Sequence, residues 1–264
     1  RLVEASKFPT CFVDEIDLQS QDTIYITTPI NGEQPPLLLN HPNRKCRIIW
    51  WLLERPDGEN WSNMIAGLRA RLDEGLAFMD AIWTSDKLVE SLDPRFQFVA
   101  LGGHRGLRTQ EPLPIAYDYT HQSYAWGRRE AVYNELKGRG LVEGPACFGA
   151  ERERVLASSK LMLNLQQYHL PVMAPLRFAI AAAYSLPIVT EQVAHVVAPL
   201  KEADLIQAPY ERLANTVFDC CAGSEIRMAT LAEMGKRIFE RYCVECTFRH
   251  GVEEGVKEFL QRSE

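Results

Sequence analysis

With 264 residues, 46% of them hydrophobic and 24% charged, the chain is an ordinary globular sequence, long enough for one large α/β domain or two smaller ones. Its formal charge of −6 excludes a global pull toward nucleic acid or an anionic membrane. No apolar run is long enough to span a bilayer, so a cytoplasmic protein with no membrane span is expected. The chain opens on Arg1 rather than Met, which leaves room for a trimmed start and a lost targeting segment. The seven cysteines are an odd, scattered set, which reads as reduced intracellular usage.

Taken in order, Phe8 to Val13 reads as a possible edge strand and residues 14–17 as a polar turn. Thr23 to Thr28 is β-branched and strand-like, and the proline-rich stretch 29–44 reads as a long loop. Arg47 to Leu53 is the strongest strand of the front half, and Glu54-Arg55-Pro56 ends it. Met64 to Gly75 has helical spacing. Asp80 to Ser85 reads as a strand, Lys87 to Leu92 as a short helix, and Arg95 to Leu101 as a strand that stops at Gly102-Gly103-His104. This alternation predicts a Rossmann-like first domain over 1–110.

Thr109 to Pro114 is a polar, proline-containing joint. Beyond it a second strand series begins at Ile115 to Thr120, followed by helices at Gly127 to Gly138 and Glu151 to Ser158. From Ser159 to Glu191 the pattern is strand, loop, helix, turn, strand. The strands are Leu161 to Leu165 and Leu186 to Thr190, and the Ala-rich helix Arg177 to Tyr184 lies between them. Such a unit is a right-handed parallel crossover, and ligands gather where its strands end and its helices begin. Leu205-Ile206 continues the sheet. Amphipathic helices follow at Tyr210 to Cys221, Ser224 to Tyr242 and Arg249 to Arg262. Cys243-Val-Glu-Cys246 has no second pair at zinc-ligand spacing and reads as two helix positions, so no metal site is expected.

Four stretches together resemble the GT-B glycosyltransferases. Asp80 to Asp86 (DAIWTSD) and Phe96 to His104 are similar to the two strands that close the family's acceptor domain. Tyr117 to Leu136, YDYTHQSYAWGRREAVYNEL, looks like the first strand–loop–helix of its donor domain. Arg177 to Pro187 looks like the helix bordering the donor nucleotide, with Glu191 after the strand that follows. The resemblance implies α/β architecture with two facing Rossmann-like domains, parallel sheets and a helical C-terminal tail. Residues 1–110 would form the acceptor domain and 111–247 the donor domain, with 248–264 a helix crossing back to the first. It implies transfer of a sugar from a nucleotide-diphosphate sugar to an acceptor hydroxyl, with no metal and no further cofactor. The sequence departs from the family at its acidic positions. Aligned on Arg177, these fall on Ile180 and Val172, and the family's glycine falls on Ser185.

The chemistry requires a cradle for the donor diphosphate. Ser123 to Arg129 offers small polar residues and two arginines at a helix start, where helix dipole and guanidinium forks both favour an anion. The alternative is a pair of solvated first-turn cations, which the helix dipole disfavours because it opposes a positive charge there. Arg177, inside an apolar helix, needs an anion: donor phosphate, or a protein carboxylate such as Glu191. Glu191 ends a strand where ribose or sugar hydroxyls would be accepted, and Gln166 and His169 could line the sugar pocket. His104, Glu54 and Asp86, each just past a predicted strand, are the candidates for a general base. Trp61 and Trp126 stand in polar surroundings suited to stacking on a sugar or base. The acceptor is a small molecule, a glycan or a hydroxymethylated DNA base. The DNA reading would need a basic cleft from Arg44, Lys45, Arg55, Arg69, Arg71, Arg105 and Arg108. A non-catalytic binding scaffold is the remaining alternative. The sugar, the oligomeric state and the stereochemical outcome are left open by the sequence.

Overall fold

The computed structural model describes residues 7–9, 17–28, 43–53, 63, 65–67, 69, 70, 73, 79–108, 110–167, 175–193, 195, 196 and 198–262. Two parallel sheets organise them. The first has the order β1 (Ile24–Thr27), β2 (Arg47–Leu52), β3 (Ala81–Thr84) and β4 (Phe96–Phe98). Every pair is parallel, with Trp50 opposite Ile82 and Trp83 opposite Gln97. The run Ile48-Ile49-Trp50-Trp51 is apolar without alternation because both faces of β2 are covered. The described residues between 63 and 73 are helical. After β3 the chain enters α1 (Lys87–Leu92), which starts where the Asp86 carboxylate accepts the Leu88 N–H.

The second sheet has the strands β5 (Tyr119–Thr120), β6 (Glu143–Gly144), β7 (Met162–Asn164), β8 (Ile188–Glu191) and β9 (Ile206–Ala208), in the order β6-β5-β7-β8-β9. Its helices are α2 (Arg128–Gly138), α3 (Gly149–Ala157), α4 (Pro175–Ala183), α5 (Tyr210–Cys221) and α6 (Glu225–Phe239). One face packs on α2 and α5 through Tyr133, Leu136, Leu213 and Val217. The other packs on α4, whose Ala179, Ala181, Ala182 and Ala183 are all buried against it. The chain steps from β5 outward to β6 and then returns past β5 to β7. The strand order therefore reverses between β5 and β7, which opens a crevice at their carboxyl ends.

Three stretches differ from the sequence expectation. In Ile115 to Thr120 only β5 joins the ladder, with Tyr117 in an isolated bridge to Ser159. The two prolines at 112 and 114 delay pairing, since a proline cannot donate to a ladder. Strand β6 is two residues long and has no apolar run to announce it. Helix α6 stops at Phe239, and Glu240–Glu245 continue as a π-helix that buries Tyr242 and Cys243. The possible strand at Phe8 to Val13, the turn at 14–17 and the loop at 29–44 lie largely outside the described residues.

The last helix, α7 (Phe248–Arg262), follows the second sheet's helices but packs on the first sheet. Phe248 stacks on Trp51 at 5.5 Å, and Trp51 meets Trp83 edge-on at 5.6 Å. Trp83 Nε1 donates to Gln97 Oε1 (3.0 Å), and Gln97 Nε2 donates to the Gly255 carbonyl (2.9 Å). Both buried amide groups of Gln97 are thus satisfied by the contact. Gly251 and Gly255 allow the close approach. Gly251→Ala would place a Cβ 2.2 Å from the Ala100 carbonyl oxygen and should destabilise by about 1–3 kcal/mol in urea unfolding. Gly138→Ala meets nothing within 4 Å and should be neutral or stabilising by up to about 1 kcal/mol. Equal effects would show that this seating contributes nothing.

Candidate functional site

Seven buried polar side chains gather at one end of the second sheet. Thr120, His121, Ser123, Arg129, Asn164, Gln166 and Thr190 are all buried, and all lie at or just beyond the carboxyl ends of β5, β7 and β8. Buried polar groups cost free energy unless paired, so a cluster at a switch point marks a site rather than a core.

Arg128 is the keystone of the cluster. Its Nη1 and Nη2 bond Glu191 Oε2 and Oε1, both at 2.7 Å, and Nη1 also donates to the Gln166 carbonyl at 3.1 Å. The Gln166 N–H returns a bond to Glu191 Oε2 at 3.2 Å. The guanidinium lies 4.0 Å over the Tyr210 ring, and the Tyr210 hydroxyl donates to the Arg128 carbonyl. The Arg128 fork is therefore matched by a carboxylate rather than presented as an open phosphate cradle, and Glu191 spends three of its acceptor positions on Arg128 and Gln166. The carboxylate anticipated for Arg177 belongs instead to Arg128.

Arg129 and Arg177 converge from other directions. Arg129 is buried, and its Nε donates to the Leu165 carbonyl at 3.0 Å. Arg177, half-buried in the first turns of α4, donates from Nη1 to Asn164 Oδ1 at 3.3 Å. Asn164 Nδ2 in turn donates to Thr190 Oγ1 at 2.9 Å. Burial raises the pKa of the Tyr133 hydroxyl, while Arg129 and Arg177 both pull it down, so the two guanidiniums act on one region. Beside them the side-chain Nε2 of Gln166 is buried without a hydrogen-bond partner. The N-terminus of α2 has no side-chain cap, and Gly127 ahead of it adopts φ +60 with open space around it. An uncapped helix start, two guanidiniums and the Gln166 amide make this end of the sheet rich in hydrogen-bond donors.

Ser123 is fixed by its hydroxyl, 3.0 Å from the Tyr133 hydroxyl. Sequence reasoning missed His121 and Glu143. The buried His121 ring stacks on Tyr133 at 4.0 Å, with Nδ1 2.9 Å from the Ser123 carbonyl oxygen and Nε2 3.2 Å from Glu143 Oε1. Burial lowers the His121 pKa against the opposing pull of Glu143. Glu143 sits below the usual carboxylate range because bonds from Lys137, His121 and Tyr119 outweigh its burial. An unpatterned two-residue strand gave no signal for this carboxylate.

Of the three candidate bases, Asp86 and His104 each cap a helix start. Glu54 and His169 lie outside the described residues. The Asp86 carboxylate caps α1. His104 accepts the Gly106 N–H on Nδ1 at 2.9 Å, so its neutral ring has the lone pair engaged and a proton already on Nε2. Burial and Arg105 lower its pKa further. A depressed folded pKa gives stability that is full above the unfolded value and is lost as pH falls through the folded one. His104→Asn, which can still accept from Gly106, should therefore keep stability at pH 7 and lose less than the parent on acidification to pH 5. His104→Ala should cost about 1 kcal/mol at pH 7. A pH 5 to 7 stability profile identical in all three proteins would remove the cap role.

Of the residues named for a basic DNA cleft, Arg44 pairs with Asp80 at 2.6 Å and Arg108 with Glu111 at 3.3 Å, while Lys45, Arg69 and Arg105 are exposed. Arg55 and Arg71 lie outside the described residues, as does Trp61. In the CxxC segment burial raises both thiols, that of Cys243 to about 12, so neither is a reactive thiolate at neutral pH. Among the described residues no group of three or more His, Cys, Asp or Glu could hold a metal ion, and no helix is long and apolar enough to cross a membrane.

No protein-family model matches the chain, and no curated protein matches it by sequence. Solved structures do match. HepE of Anabaena, in complex with UDP and glucose, is 13% identical over 81% of this chain and 72% of its own, with a TM-score of 0.61. TarM is 10% identical, covering 91% of this chain and 55% of its own, with a TM-score of 0.63, so the chain spans little more than half of TarM. AviGT4, a glycosyltransferase of avilamycin A biosynthesis, is 13% identical over 93% of this chain and 76% of its own, with a TM-score of 0.57. The two parallel sheets and helical tail are thus those of the GT-B fold.

The Arg128–Glu191 pair is nearly withdrawn from water, at 10% and 12% side-chain exposure. Glu191→Ala should destabilise by about 3–5 kcal/mol because it strands a buried cation, whereas the double variant Arg128→Met/Glu191→Leu should lose far less. Denaturant unfolding checks this, and additive losses would show that the pair is not coupled.

Proposed function

We propose that the chain is a glycosyltransferase that moves a sugar from a nucleotide-diphosphate donor to an acceptor hydroxyl, with the donor held at the β5–β7 switch point. The observation behind this reading is the buried polar cluster there, with Arg129, Arg177, the uncapped start of α2 and a Gln166 amide that has no partner among the described residues. Such a set neutralises a diphosphate as the glycosidic bond breaks and negative charge develops on the leaving group. Fixed guanidiniums and helix N–H groups supply that charge, so in this reading the reaction needs no metal. HepE binds UDP and UDP-glucose on the same fold, which makes uridine nucleotides the first donors to test.

In this reading the roles divide by position. Arg128 and Glu191 set the shape of the site, and the β7 and α4 residues make the ligand contacts. Arg177 reaches the crevice from the helix, and Asn164, its partner, holds the fork in register with β8. Gln166 offers its amide N–H groups to a phosphate or sugar oxygen, which would satisfy the donor left without a partner.

Thermal shift with UDP, UDP-glucose and the corresponding guanosine and adenosine nucleotides tests the reading. A ligand at a hundred times its Kd stabilises the fold by about 2.7 kcal/mol, a rise of several degrees. Arg177→Ala should weaken nucleotide-sugar binding by about 1–3 kcal/mol without unfolding the protein. Arg177→Lys should restore part of it, because an ammonium lacks the fork. No shift with any nucleotide would favour a non-catalytic scaffold.

A further inference from the structure

The loop from His121 to Gly127 is fixed at both ends and bare in the middle. At its start, His121 is stacked on Tyr133 and held by Glu143, and Ser123 is bonded to the same Tyr133. At its end, Arg128 is bonded to Glu191 and lies against Tyr210. Between these anchors Tyr124 and Trp126 stand 71% and 50% exposed. Among the described residues neither ring meets another aromatic ring or a cation. Residues 122–127, QSYAWG, carry no formal charge. The loop leaves the carboxyl end of β5, the strand that borders the switch point.

Exposed rings on a loop anchored at both ends are pre-organised, and binding to them forfeits little conformational entropy. A flat, amphipathic, uncharged surface complements the C–H face of a pyranose ring, whose hydroxyls can stay in water. It does not complement a phosphate, which the buried cations beside it already serve.

We infer that Tyr124 and Trp126 form a stacking platform for a neutral saccharide ring of the acceptor. This rests on reading the switch point as the donor site. It commits the acceptor to a glycan or glycoside rather than a charged small molecule or a nucleic acid.

The test is a printed array of neutral oligosaccharides probed with the labelled full-length chain and with its Trp126→Ala, Trp126→Phe and Tyr124→Ala variants. UDP affinity is measured in parallel by calorimetry. The platform predicts glycan binding by the parent that falls at least tenfold in Trp126→Ala and Tyr124→Ala and largely persists in Trp126→Phe. UDP affinity should stay within twofold in all variants. An array blank for the parent, or a signal that Trp126→Ala leaves unchanged, overturns the inference. UDP affinity that falls with Trp126→Ala also overturns it, because the rings would then serve the donor's base. If Trp126-dependent glycan binding is found while UDP does not bind at all, the platform stands and the donor reading fails.

Discussion

The guanidinium of Arg128 and the carboxylate of Glu191 meet where three segments must be held together: the start of α2, the end of β7 and the end of β8. Parallel strands bring all their carboxyl ends to one edge, where the ladder stops and backbone groups need other partners. Here two side chains supply them. Glu191 accepts the Gln166 N–H, and Arg128 donates to the Gln166 carbonyl. The pair also explains two arginines in a first helical turn, where a cation opposes the dipole. Each is held by acceptors outside the helix, Arg128 by Glu191 and Arg129 by the Leu165 carbonyl. Arg177 approaches the same edge from α4, where its Nη1 donates to Asn164 Oδ1.

A second constraint ties the two sheets together. At the crossing the chain runs within backbone reach of itself: the Gly103 N–H bonds the Tyr242 carbonyl at 2.7 Å, and the Phe248 N–H bonds the Gly103 carbonyl at 2.8 Å. A Cβ at Gly102 would sit 2.2 Å from the Cys246 carbonyl oxygen. The π-helical turn before this point widens the backbone and carries the chain from the second sheet's helices onto the first sheet. From there α7 adds Phe248, Val252 and Phe259 to the first sheet's own apolar face. Leu176, next to Arg177 on α4, also packs against that apolar face, and Leu107 packs against the cluster around α4.

Most of the fold was legible because it rests on local patterns. The double tryptophan strand, the alanine-rich helix and the Tyr210–Cys221 helix all follow from periodicity and composition, and the structure places them within a residue or two. What was not legible is long-range pairing. Nothing local distinguishes Arg128 from Arg177 as the partner of Glu191; the distance between β8 and α2 decides it, and that distance belongs to the sheet order. The same holds for Glu143, which matters through His121 on the neighbouring strand and sits in a strand too short to carry a period. His104 shows the converse. Its pKa suited a base, but its position two residues before a turn N–H made it a cap.

The arrangement at the edge of the second sheet separates two kinds of recognition by burial. Charge is kept inside, where low polarizability strengthens each interaction and a misplaced anion would be costly. Aromatic surface is kept outside, where it can meet a neutral ring without desolvating a charge. One short loop serves both, because its buried histidine and serine are bonded inward while Tyr124 and Trp126 face solvent. A charged group in the exposed part would be drawn toward Arg129 and Arg177 or repelled by them, and the loop would answer to the occupancy of the pocket. Uncharged aromatics leave it insensitive to that field.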